Sequence, residues 1–247
     1  MQCCGTENNF LKTKFRLLAV AITVISSLAT ATNPPQAAPS NNAQLEAVLT
    51  SMDKAAASFK TIQCTFAWDQ YTAVVNDTDT QNGTMFFRRA GHDVEMAAHI
   101  EKPDTKIVVV SNGTVRIYQP KIDTEQRYDE GKNRAAFDTF LVLGFGGRGH
   151  DLATSFDVDF DRNETVGGVN TAKLVLIPKQ ANVKNVFNKM ILWIDPARGI
   201  SIQQQFFQPS GDYRMAKYAD IKVNQKLPDN AFELKTTRKT KIEAPKS

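Results

Sequence analysis

Histidine, cysteine and charge of one sign are scarce in this sequence of 247 residues. Its three histidines are His92, His99 and His150, and its three cysteines are Cys3, Cys4 and Cys64. No Gly-x-Ser-x-Gly elbow occurs, and no histidine stands in a recognisable nucleophile–base pair. His92 and His99 would face opposite sides of a shared strand, so they do not form a metal pair. These absences argue against a hydrolase and a metalloenzyme, and the reading is a protein with no catalytic chemistry, no cofactor and no metal site. The 30 Lys+Arg against 26 Asp+Glu leave a formal charge of only +4. The basic residues are scattered rather than striped, which excludes nucleic acid as the expected partner. Hydrophobic residues at 42% and charged residues at 23% exclude a disordered, collagen-like or coiled-coil chain. There is one long apolar run, so a multi-span membrane protein is excluded as well.

That run lies near the start. Lys12, Lys14 and Arg16 precede an apolar core from Leu17 to Ile25, and Ala29-Thr30-Ala31 supplies a small-residue cleavage site. The pattern predicts a secretory signal peptide over 1–31, cleaved near Ala31, and a periplasmic mature protein. No cysteine follows the run closely enough to be lipidated. Removing 1–31 leaves 27 basic against 25 acidic residues, so half of the small excess belonged to the signal segment. Cys64 is then the one remaining cysteine, and it has no internal disulfide partner. The rest divides into a Pro- and Asn-rich leader (32–42), a domain (43–236) and a charged, frayed tail (237–247).

Leu45, Val48, Leu49, Met52, Ala56 and Phe59 recur at helical spacing, so a helix is expected near 43–59, capped at Asn42. The period then changes to two. Ile62, Cys64, Phe66 and Trp68 alternate with Gln63, Thr65, Ala67 and Asp69. A turn is expected at Asn76–Asp79, and strands follow at 84–89, 94–99, 106–111, 114–119 and 124–128. Further strands are expected at 156–163, 169–177, 189–195, 200–208 and 212–223. The links Asn112-Gly113, Gly167-Gly168 and Pro209-Ser210-Gly211 carry turn chemistry. This gives eleven strands and a possible twelfth at Phe232–Thr236. Helical spacing returns in 131–143 and 150–155. Without β-α-β crossovers, the class is mainly β: one antiparallel sheet covered by a few helices.

Two short motifs read as structure rather than chemistry. Gly144, Gly146 and Gly149 match a dinucleotide fingerprint, but a helix precedes them where a strand is required, so a flexible hinge is the reading. Asp157, Asp159 and Asp161 resemble a calcium loop, but the required Gly and Glu positions hold Arg162 and Gly168. The solvated face of a strand explains them.

The surplus is apolar strand surface. The sheet must either close into a packed barrel or curve around an apolar ligand beneath a helical lid. Strand alternation nominates Phe66, Trp68, Phe87, Val110, Ile117, Leu174, Leu192 and Phe206 for the inner face.

The order of motifs resembles the bacterial periplasmic lipoprotein carriers known as LolA, or outer-membrane lipoprotein-sorting proteins. The resemblance rests on the strand Gly83 to Arg89 (GTMFFRR), the hairpin Pro103 to Pro120, the segment Leu174 to Lys179, the strand Ile191 to Asp195, and Gly211 to Arg214 with Tyr218. It spans most of 43–236. It implies an unclosed, strongly curved antiparallel sheet, a half-barrel of about eleven strands, with lid helices near 43–59, 131–143 and 150–155. It also implies a monomeric carrier of acylated lipoprotein or another lipid, working between an inner-membrane transporter and an outer-membrane acceptor. By the same resemblance Arg89 is the lid latch, bonded to lid carbonyls in the empty form. Arg88 faces the other side of the strand, so its replacement by leucine is expected to change little. Ala90 stands where the family usually has Pro, and Asp93 and Glu95 where it often has an aromatic pair. Acids there are expected to sit at the cavity mouth and alter docking. The rival reading is a lipid-binding periplasmic sensor on the same fold, for which a second domain after residue 236 would speak.

Overall fold

The computed structural model describes residues 40–91, 93–129 and 143–244. Helix α1 (Asn41–Ser58) starts inside the expected leader. Its cap is Ser40 rather than Asn42, because the Ser40 side chain accepts a hydrogen bond from the Ala43 amide at 3.3 Å and satisfies one free donor of the first turn. The helix ends at Phe59, which is extended, and the period-two pattern takes over there.

Twelve strands follow: β1 (Thr61–Thr72), β2 (Asp77–Ala90), β3 (Asp93–Lys102), β4 (Lys106–Ser111), β5 (Thr114–Gln119), β6 (Thr124–Asp129), β7 (Phe156–Val166), β8 (Val169–Pro178), β9 (Lys189–Asp195), β10 (Ile200–Phe207), β11 (Tyr213–Val223) and β12 (Lys241–Glu243). Short helices α2 (Leu152–Ser155) and α3 (Ala181–Lys184) precede β7 and β9. The strands form one sheet in the order β12-β6-β5-β4-β3-β2-β1-β11-β10-β9-β8-β7. The two edge strands, β12 and β7, do not meet, so the sheet curves without closing.

Four expectations are corrected. The turn after β1 is Ala73–Asn76 rather than 76–79: Asn76 adopts a left-handed φ of 49° and β2 begins directly after it. Residues Phe232–Thr236 form no strand, because Phe232 and Leu234 pack side-on against the sheet instead. The tail is ordered at Lys241–Glu243, which pairs with β6 in parallel. Asp123 holds it there, accepting from the Thr240 hydroxyl at 2.7 Å while its carbonyl accepts from the Lys241 amide at 2.9 Å. Helix α3 is an addition to the expected elements, since four residues carry too little periodicity to register. The helix expected at 131–143 lies outside the described residues, apart from Leu143.

Register decides which side chains share a face. Val110 pairs with Met96, Met96 with Phe87, and Phe87 with Ile62. Across the other half, Trp68 pairs with Ala216, Ala216 with Gln204, Gln204 with Leu192, and Leu192 with Leu174. Helix α1 lies on this inner face, its Val48, Leu49 and Met52 packed with Leu174, Leu176 and Leu192. Each such burial contributes ~1.5–3 kcal/mol. On the outer face, Phe86, Ala97 and Val109 are covered by Leu227, Ala231 and Phe232 of the C-terminal segment.

Candidate functional site

Between α1's end of the sheet and the β10–β11 hairpin, the inner face is not filled. A cavity of about 270 Å³ lies over β3, β2, β1, β11 and β10. Phe66 and Trp68 of β1, Met85 and Phe87 of β2 and Phe206 of β10 form much of its wall. Leu143 and Phe145 close it from above. Phe145 stacks on Phe87 at 5.0 Å and meets Tyr218 edge-on at 4.7 Å.

Register puts all eight nominated residues on the inner face, but they do different work. Phe66, Trp68, Phe87 and Phe206 line the cavity. Leu174 and Leu192 are fully buried beneath α1, in solid core. Val110 and Ile117 sit further along the face, on β4 and β5, away from the cavity wall. Strand alternation identifies a face; it does not tell which stretch of that face a helix covers. Sequence reasoning misses Met96, Phe145, Phe187, Gln204, Arg214 and Ala216 as wall residues. On β11 the inward residues Arg214, Ala216 and Tyr218 are polar or small, so their alternation carries no apolar signal.

The glycine run is not a loose hinge. A side chain on Gly144 would lie 2.3 Å from Ser201 Cβ, and one on Gly146 would lie 2.6 Å from the Phe59 ring. Both have positive φ, 76° and 80°, so glycine is required for conformation and for close approach. The Gly144 carbonyl accepts from the Ser201 amide at 2.9 Å. Gln204, buried at 5% exposure, ties the same segment down. Its Nε2 donates to the Leu143 carbonyl, and its Oε1 accepts from the Tyr218 hydroxyl at 3.0 Å.

Arg89 completes the closure. Its Nε donates to the Phe59 carbonyl at 3.2 Å, and one terminal nitrogen donates to the carbonyls of Ala56 at 3.2 Å and Gly146 at 3.4 Å. One guanidinium therefore joins the end of α1 to the segment over the cavity, adding its donors to carbonyls of the helix end and of Gly146. Arg88 points the other way, where its Nε donates to Glu95 Oε2 at 2.6 Å and its guanidinium stacks 4.0 Å from the Phe232 ring. Glu95 is thus on the outer face, 7% exposed, and not at a cavity mouth. Arg88 is no silent position either, because its loss would strand a buried carboxylate.

A second tie fixes α1 to the Gly149–Ser155 stretch. His150 Nδ1 lies 2.7 Å from Asp53 Oδ2 and Nε2 lies 2.9 Å from Glu46 Oε1. Hydrogen bonds to Asp53 and then Glu46 raise the His150 pKa above its ordinary value. Burial works against the Asp53 carboxylate, but the His150 bond outweighs it and holds Asp53 below the usual carboxylate range. Cys64, fully buried beside the cavity, has its thiol pushed up to about 12 by burial, which leaves it unreactive. Burial likewise raises the Tyr218 hydroxyl, so it remains a donor. Among the described residues no cluster of His, Cys, Asp and Glu could hold a metal ion, and no helix is long and apolar enough to cross a membrane.

No protein-family model matches the chain, and no curated protein matches it. Solved structures do. An uncharacterised conserved protein from Thermus thermophilus superposes with a TM-score of 0.52 at 11% identity, covering 82% of this chain and 99% of that one. MucB superposes with a TM-score of 0.51 at 13% identity, covering 78% of this chain and 63% of MucB. These two likenesses show a shared fold. A LolA superfamily protein from Nitrosomonas europaea is also matched, at a TM-score of 0.38 and 14% identity, covering 77% of this chain and 97% of that one. At such identities the likeness is one of fold, and this chain spans less than two thirds of MucB. The unclosed sheet with helices on its inner face is the architecture that the sequence resemblance implies.

Proposed function

We propose that this protein binds an acyl chain in the inner-face cavity and carries lipidated cargo, a lipoprotein or another lipid, across the periplasm without catalysis. The observation that carries the reading is an apolar cavity whose roof is held by a few polar ties. Leu143 and Phe145 are fixed through Gln204, Gly144 and Arg89. At about 270 Å³ the space is just under the ~300–1,000 Å³ of ligand pockets, so a long chain is fully accommodated only if the roof moves. Burial of each CH₂ then contributes ~0.8 kcal/mol. Release needs a competitor for the same surface, and Phe145 returning onto Phe87 and Tyr218 supplies one.

The test is saturable binding of a fluorescent fatty-acid probe. Wild type should bind it, and Ala216→Trp, which fills the cavity without burying a charge, should weaken binding by at least tenfold while the protein stays folded. A probe that does not saturate wild type, or binds Ala216→Trp equally well, contradicts the reading. A lipid-responsive sensor would share the binding result and differ in retaining its cargo when an outer-membrane acceptor is offered.

A further inference from the structure

The cavity has a polarity along its length. At one end Phe66, Phe87, Leu143 and Phe145 are buried; at the other Trp68, Phe187, Phe206 and Arg214 are only partly so. Among the described residues Arg214 is the one charged side chain in the wall. It stands opposite Phe206 and Gln70 in the sheet, beside the β10–β11 turn, and its guanidinium lies 5.9 Å from the Trp68 ring. Among the described residues no carboxylate lies within ion-pair distance of it, although Lys217 on the same strand is paired with Asp69 at 3.0 Å. A guanidinium on the open rim of an apolar cavity, with five donors and no carboxylate of the described residues beside it, is suited to a ligand that brings its own.

Building on the acyl-chain reading, we propose that the cargo is an amphiphile with an anionic head. The head, a carboxylate or a phosphate, pairs with Arg214 at the open end, and the chain runs inward along β1 toward Phe87 and Phe145. Arg214 thereby selects the charge of the head and sets the direction of the chain. Neutral heads leave the guanidinium facing water and gain only the hydrophobic contribution. Cationic heads are repelled.

The experiment is displacement of bound Nile red, an uncharged probe, by four C16 amphiphiles: palmitate, hexadecyl phosphate, hexadecanol and hexadecyltrimethylammonium. Wild type should bind palmitate and hexadecyl phosphate about tenfold or more tightly than hexadecanol, as expected for one charge-assisted contact at a partly exposed site. Arg214→Gln should bring the anions to within about threefold of hexadecanol, chiefly by weakening the anions, while Arg214→Lys should keep part of the preference. Palmitate ahead of hexadecyl phosphate would indicate a fatty acid, and the reverse order a phospholipid head. Equal binding of anions and hexadecanol by wild type, or an anion preference that survives in Arg214→Gln, overturns the assignment while leaving the acyl-chain cavity intact. If no C16 amphiphile displaces the probe, the cavity reading falls, and this proposal with it.

Discussion

Under the carrier proposal, Arg89 is the residue on which closure of the cavity turns. It bonds to three carbonyls from two segments, and no other described cation joins α1's end to the roof. Each charge-assisted bond contributes ~1.5–3 kcal/mol when buried, but Arg89 is exposed, so solvent reduces the total to about 1–2 kcal/mol. Arg89→Leu should therefore populate the open form about tenfold more, with Phe59 and Gly146 exchanging their amide hydrogens faster. In a transfer assay it should load cargo normally, hold it longer and deliver it poorly. Release to an acceptor at the wild-type rate would mean that Arg89 is only an exposed strand-end arginine. Arg88 and Arg89 show how far sequence goes at this scale: alternation alone separates their faces, but nothing in it reveals that Arg88 covers a buried Glu95 under Phe232. Arg88 and Glu95 are paired across adjacent strands, but Phe232 comes from far along the chain, and local period carries no trace of its arrival.

At the scale of elements, α1 is the piece that the carrier proposal expects to move: among the described residues it makes no backbone–backbone hydrogen bond to a strand. Its apolar residues pack on β7–β9, and its polar face is tied by His150 to Asp53 and Glu46, with Arg148 3.7 Å from Asp53. The raised His150 pKa means that this tie is fully present below about pH 6.5 and is lost as pH rises through the folded-state value. The lowered Asp53 pKa gives a contribution present above about pH 4 and lost as pH falls through its folded-state value. Thermal stability should accordingly peak between those limits and fall by about 1–3 °C toward pH 8, since both partners are partly exposed. His150→Asn should flatten the alkaline side of the profile, measured by calorimetry; an unchanged slope would remove His150 from the account. The helix itself and most strands are legible in the sequence, because Val48, Leu49 and Met52 keep one period and Phe66 and Trp68 keep the other. What escapes is whatever depends on a distant partner. Strand β12 exists because Asp123 captures Thr240 and Lys241, and the glycines of 144–149 are needed where Ser201 and Phe59 approach them.

The described residues form a twelve-stranded sheet with two differently treated faces. The C-terminal segment covers the outer face over Phe86, Ala97 and Val109. Helix α1 fills the inner face over β7–β9, and the space over β1, β2 and β11 is left unfilled by the described residues. Sequence periodicity nominates the inner face as a whole; the division between Leu174 and Leu192 in solid core and Phe66 and Trp68 on a cavity wall follows from where α1 lands. The central claim is that an acyl chain lies along that wall. Photo-crosslinking with a diazirine-bearing palmitate, followed by peptide mass spectrometry, tests it most directly. The account predicts saturable labelling on β1, β2 and β11, at Phe66, Trp68, Phe87 or Tyr218, abolished by excess palmitate and by Ala216→Trp. Label on the outer-face residues Phe86, Ala97 or Val109, or label that excess palmitate does not displace, would contradict it.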